Sequence, residues 1–199
     1  MLKDMELEER IVNQLHSALG TCAQTIEHYS PVVADASEQL LACLMSEGKI
    51  ICAGNGASQS LANYFTTLLM QRFRNERPGL PAIALGADSG VTTGTAEESG
   101  YVTTYARQIQ ALGQPGDVLV VISSSGRDRN LIQAIQAAHD REMPVIAITG
   151  KDGGNLTSLL EPTEIEICVP ADDEPDIHLA QMLTLHCLLD LIEYQLFGA

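Results

Sequence analysis

Two short runs of small polar residues have the composition to hold a ligand. Gly54-Asn55-Gly56-Ala57-Ser58 pairs glycines, which let a ligand approach the backbone, with a hydroxyl at the start of a predicted helix. That combination suits an anion such as phosphate. Ser123-Ser124-Ser125-Gly126 clusters hydroxyls and backbone N–H groups at a second strand-to-helix junction, which suits phosphate or sugar oxygens. Either run could also serve as an ordinary turn or helix cap. Their recurrence after separate strands favours one shared pocket made by Asn55, Gly56, Ser58, Ser123, Ser124 and Ser125. Neither run is a nucleotide loop: Gln59 replaces the last glycine of G-x-G-x-x-G, and Gly150-Lys151-Asp152 lacks the Ser/Thr of a P-loop. His178 and His186 lie eight residues apart on one predicted helix, about 80° around its axis. Glu98 or Asp190 could join them, but two histidines without a well-placed third ligand do not make a metal site, and none is expected. Glu97 and Glu98 read as solvated loop carboxylates.

These loops need elements to position them. Apolar runs predict strands near Lys49–Ala53, Pro81–Leu85, Asp117–Ile122, Pro144–Thr149 and Glu164–Val169. Helices are expected through about Phe73, through about Arg141, and from Pro175 to Leu196. Alternating strands and helices predict an α/β doubly wound parallel sheet. Ahead of it, Leu7, Ile11, Leu15, Leu19, Cys22 and Ile26 recur at steps of three and four, the stripe of an amphipathic helix. Ser30-Pro31 reads as the start of a second helix ending at Glu47-Gly48, so residues 1–47 are expected to form a hairpin. Its stripe would bury against the core or another subunit. On the last helix, Leu185, Leu188, Leu189 and Ile192 read as core.

The 199 residues carry 11 Lys+Arg against 26 Asp+Glu, a net charge of −15. This acidity disfavours direct nucleic-acid contact and anionic membrane surfaces. A chain of this length buries roughly 70% of its unfolded surface without disulfide or metal staples. The five cysteines lack C-x-x-C spacing and read as reduced, buried thiols. The polar N-terminus Met1–Glu6 has no signal-peptide core, and no apolar run reaches the ~18 residues of a membrane span, so a cytoplasmic protein is expected.

Gly54-Asn55-Gly56-x-Ser58, Arg77-Pro78-Gly79-x-Pro81-Ala82-Ile83-Ala84, Gly116-Asp117-Val118-Leu119, Ile122-Ser123-Ser124-Ser125-Gly126 and Thr149-Gly150-Lys151-Asp152-Gly153-Gly154 follow one another in order. The series resembles the SIS (sugar isomerase) domain family, in the branch that holds the phosphoheptose isomerases and the DnaA initiator-associating proteins. The resemblance implies a flavodoxin-like three-layer α/β/α sandwich with a five-stranded parallel sheet. It implies one SIS domain over 1–199: helices at 1–47 used in oligomerisation, and a core and C-terminal helix over 48–199. The assembly would be a homotetramer, with a dimer as the alternative.

An aldose–ketose isomerase needs a base and an acid over the sugar. The phosphoheptose isomerase pattern puts a His and a Glu on the helix after G-N-G-x-S, and a Gln and a His on the last helix; the four can also bind zinc. Here Tyr64 and Leu68 stand at the first two positions and His178 at the third; only His186 matches. Asp128 stands where the family has a phosphate-binding hydroxyl, a repulsion that Arg127 or Arg129 could offset. The expectation is therefore no catalytic residue, with His186 the alternative, and no cofactor, with zinc the alternative. The ending Leu196-Phe197 resembles the pair through which the initiator-associating branch contacts DnaA; otherwise Phe197 folds back on its own domain. The leading expectation is a non-catalytic scaffold that binds DnaA through Leu196 and Phe197 and promotes its assembly at the replication origin by multivalency. The alternatives are an isomerase of sedoheptulose phosphate, or a sugar-phosphate sensor.

Overall fold

A computed structural model describes residues 6–198; the segment 1–5, with most of the polar N-terminal run, and Ala199 lie outside them. The chain opens with α1, one helix of 39 residues from Leu7 to Met45. The expected hairpin is therefore not formed. Pro31 lies inside the helix, and the Ser30 hydroxyl donates to the Ile26 carbonyl one turn back rather than capping a new helix. Proline removes one helical hydrogen bond. Burial of Val33, Ala36, Leu40 and Cys43 just beyond it in the main apolar core holds the continuous path.

The remaining elements are β1 (Ile50–Gly54), α2 (Ala57–Met70), β2 (Ala82–Ala84), α3 (Ser89–Ser99), a 3-10 turn (Tyr101–Thr103), α4 (Thr104–Leu112), β3 (Val118–Ile122), α5 (Arg129–His139), β4 (Val145–Gly150), α6 (Gly154–Thr157), β5 (Ile165–Val169) and α7 (Glu174–Phe197). The five strands lie where the apolar runs predict them. They pair in parallel in the order β2-β1-β3-β4-β5, with Ile50 beside Val118 and Leu119 beside Val145. β1, β3 and β4 are buried throughout, which is why their sequences do not alternate. Cys52, Val120 and Ile146 face the core formed with α1, α2 and α7; Ala53, Val121 and Ala147 face the one formed with α4 and α5. This is the expected three-layer sandwich. Helices α3 and α4 lie outside the expected elements: Ser89-Gly90-Val91-Thr92-Thr93-Gly94 is poor in helix formers and α3 buries no residue, whereas α4 is short and buries Tyr105, Ala106 and Ile109. Asp88 starts α3 by accepting from the Gly90 and Val91 amides at 2.8 and 3.1 Å. No helix among the described residues is long and apolar enough to cross a membrane.

Candidate functional site

The strand order reverses between β1 and β3, and the two polar loops leave the carboxyl ends of those strands. Open α/β sheets bind their ligands at such a reversal. Gly54 permits the turn into α2, because a Cβ there would sit 2.6 Å from the Ser58 carbonyl. Asn55 joins the two loops. Its Nδ2 donates to Asp128 Oδ1 at 2.7 Å and to Asn130 Oδ1 at 2.9 Å, and its Oδ1 accepts from Tyr101 at 3.0 Å and from Asn130 Nδ2 at 2.9 Å. Ser123, almost fully buried, donates to Asp128 Oδ2 at 2.5 Å and accepts from the Gly126 amide at 2.8 Å. Tyr105 donates to the Gly54 carbonyl, and burial pushes its phenol far up, so it stays neutral.

The sequence-predicted residues thus divide. Asn55, Ser123 and, through its own backbone amide donating to the Ser123 hydroxyl at 3.3 Å, Ser125 belong to one hydrogen-bonded network. Gly56 is exposed at φ 55° at the head of α2, and Ser124 is half-buried. Ser58 points elsewhere: its hydroxyl is 3.4 Å from His178 Nε2 on α7. Further along the same pair of helices, the Tyr64 hydroxyl lies 2.9 Å from His186 Nε2, and the Phe73 ring, just beyond α2, lies tilted with its centroid 5.3 Å from that of the imidazole. A Tyr–His pair at hydrogen-bond distance can pass a proton.

Residues that sequence reasoning missed hold this arrangement. Gln181, fully buried on α7, donates to the Ser123 and Ile148 carbonyls at 3.0 and 3.1 Å and ties both strand ends to the helix. Glu193 accepts from the Phe73, Arg74 and Asn75 amides and from Arg77 Nε at 2.7 Å, while Arg77 caps the Leu68 and Leu69 carbonyls. Arg77 opens the Arg77–Ala84 motif, but its acidic partner is 116 residues away and only folding brings the two together. A separate apolar groove of 310 Å³ between α1 and α7, lined by Ile26, Val33, Leu183 and Leu191 among others, includes none of these groups.

The SIS domain profile matches residues 15–150 of the chain. This chain belongs to the SIS domain family. Among curated relatives, it is 43% identical over 195 residues to the phosphoheptose isomerase of Chromohalobacter salexigens, covering 98% of this chain and 99% of that one. It is 45% identical over 194 residues to the phosphoheptose isomerase of Azoarcus sp., covering 98% of each. A phosphoheptose isomerase structure from Francisella tularensis superposes with a TM-score of 0.91 at 37% identity, over 94% of this chain and 98% of the other.

Those relatives overturn the expectation of a non-catalytic DnaA-binding scaffold, because nearly their whole length carries the isomerase name. The structure also weakens the physical case for the C-terminal anchor. Leu196 is half-buried against the main core, leaving only Phe197, 44% exposed, of the pair. Within the SIS fold the four pattern positions are held by Tyr64, Leu68, His178 and His186. Leu68 offers no donor atom, His178 and His186 face different partners, and Asp190 is paired with Arg74 at 3.2 Å. Glu97 and Glu98 are exposed on α3, solvated as expected, though on a helix rather than a loop. Among the described residues no three His, Cys, Asp or Glu side chains converge on a metal-sized position.

Proposed function

We propose that this chain is a phosphosugar isomerase of the phosphoheptose class, interconverting ketose and aldose forms of a seven-carbon sugar phosphate. The observation that carries the reading is the near full-length likeness to phosphoheptose isomerases, which spans both strand-end loops and the last helix. The reaction moves a proton between adjacent carbons while the carbonyl oxygen is polarised. His186 is the group to take and return that proton, with the Tyr64 hydroxyl at 2.9 Å as its partner. Ser58 and His178, whose side chains meet at 3.4 Å, would bind sugar hydroxyls, and the Ser123–Ser125 loop would bind the phosphate end. The protein would work in the cytoplasm as a homotetramer or dimer. Leu7, Ile11, Leu15, Leu19 and Ile26 are each more than half exposed on α1, so the stripe expected to bury against core or subunit is open to a second copy.

A coupled assay with sedoheptulose phosphate tests the reading. Turnover that vanishes in His186→Ala supports it, and absence of turnover in the folded wild type refutes it. Leu68 favours a second reading, binding without turnover, because an aliphatic side chain cannot relay a proton. That reading predicts a raised melting temperature with sugar phosphates and no product.

A further inference from the structure

Asp128 occupies the N-cap position of α5, yet its side chain caps nothing. An aspartate there ordinarily accepts from the first-turn amides of its own helix. Here the carboxylate turns back to the strand ends, taking the Ser123 hydroxyl at 2.5 Å on one oxygen and Asn55 Nδ2 at 2.7 Å on the other. These are the two side-chain donors that the β1 and β3 loops bring together at the head of an 11-residue helix, where an anion is favoured. The neighbouring cations do not neutralise the carboxylate. Arg127 is turned to Asp152 at 2.6 Å, Lys151 to Glu174 at 3.4 Å, and Arg129 is exposed.

We propose that Asp128 is a resident anion: its carboxylate fills the donor set that would otherwise take a phosphoryl oxygen, and so sets the phosphate affinity of the site by exchange. A phosphorylated sugar enters only by displacing Asp128 from Ser123 and Asn55 against its charge. Asp128 is then the residue that restrains this site toward the phosphate end of its ligand. The inference rests on the strand-end loops being the phosphate end of the proposed sugar site.

Calorimetric titration of the full chain with inorganic phosphate and with sedoheptulose phosphate tests this in the wild type, Asp128→Asn and Asp128→Ser. Removing the charge is expected to lower both dissociation constants about tenfold or more. Affinity that is unchanged or weaker in folded variants overturns the proposal, as does a failure of the variants to bind either ligand. Should neither variant fold, the wild type decides by NMR. The Asn55 side-chain amide must shift as phosphate titrates in, because its N–H changes acceptor; a static resonance overturns exchange. The assay of turnover is separate. Tighter phosphate binding without catalysis leaves the resident anion standing and removes the isomerase, whereas catalysis with unchanged affinities does the reverse.

Discussion

Replacing Glu193 with Gln removes the charge from the ion pair that joins α7 to the end of α2. The side chains of Arg77 and Glu193 are only 1% and 3% exposed. Four donors converge on the carboxylate, and the guanidinium in turn satisfies the Leu68 and Leu69 carbonyls. Glutamine keeps the shape but sets an N–H₂ among donors and leaves a buried guanidinium without its counter-charge. Breaking one side of a buried pair costs about 3–5 kcal/mol. For a chain of this size that lowers the melting temperature by roughly 6–20 °C. Urea unfolding followed by circular dichroism measures the loss directly, with the midpoint falling and the slope unchanged. Acid sharpens the test. Burial opposes the Glu193 charge, but the bonds from Phe73, Arg77, Arg74 and Asn75 outweigh it and hold the carboxyl below its ordinary value of 4.5. A lowered folded-state value contributes stability that is complete above the ordinary carboxylate range and drains as pH falls through the lowered one. The wild type should therefore lose stability more steeply than Glu193→Gln on acidification. The double variant Arg77→Met/Glu193→Leu should cost less than the two single variants together, because it leaves no unpaired charge. A single-variant loss below about 1 kcal/mol, or a double variant as damaged as the sum, would refute the reasoning.

Gly126→Ala should destabilise by on the order of 3 kcal/mol or more, since φ is +65° and a Cβ would lie 1.8 Å from the Gly153 carbonyl oxygen; a melting temperature equal to wild type counts against it. Burial pushes the Cys52 thiol far up and Cys43 to about 11, so a thiol reagent at neutral pH should reach Cys22, Cys168 and Cys187 before either. Rapid native labelling of Cys52, read by mass spectrometry, would contradict that order. Tyr64→His/Leu68→Glu adds a base and a carboxylate beside His186 and should raise kcat on sedoheptulose phosphate by about 10²-fold or more. A folded double variant with no gain would show that these two positions do not limit the reaction.

The chain's own pattern carried the sheet. Continuous apolar runs such as Val118–Ile122 and Val145–Gly150 can be buried only between two helical layers, and the structure places them there. The two polar loops were legible for the same reason, because strand-to-helix junctions put small residues at the ligand end of such a sheet. The single helix at α1 was not legible. A proline is locally a start signal, and only the burial of Val33, Ala36, Leu40 and Cys43 against the sheet overrides it. Helix α3 escaped because propensity and stripe are both weak in a helix that buries nothing, and α4 because its nine residues are too few for the stripe of Tyr105, Ala106 and Ile109 to stand out.

The residue types at 55, 58, 64, 68, 123, 128, 178 and 186 were set by the sequence, and with them the chemistry they can and cannot do. Leu68 cannot move a proton in any fold. Which of them meet was decided by tertiary structure alone. Asn55 and Asp128 are 73 residues apart, Tyr64 and His186 are 122 apart, and Arg77 finds Glu193 across 116. A hydrogen bond acts over about 3 Å, so its partners are fixed by strand order and helix packing, which no local spacing encodes.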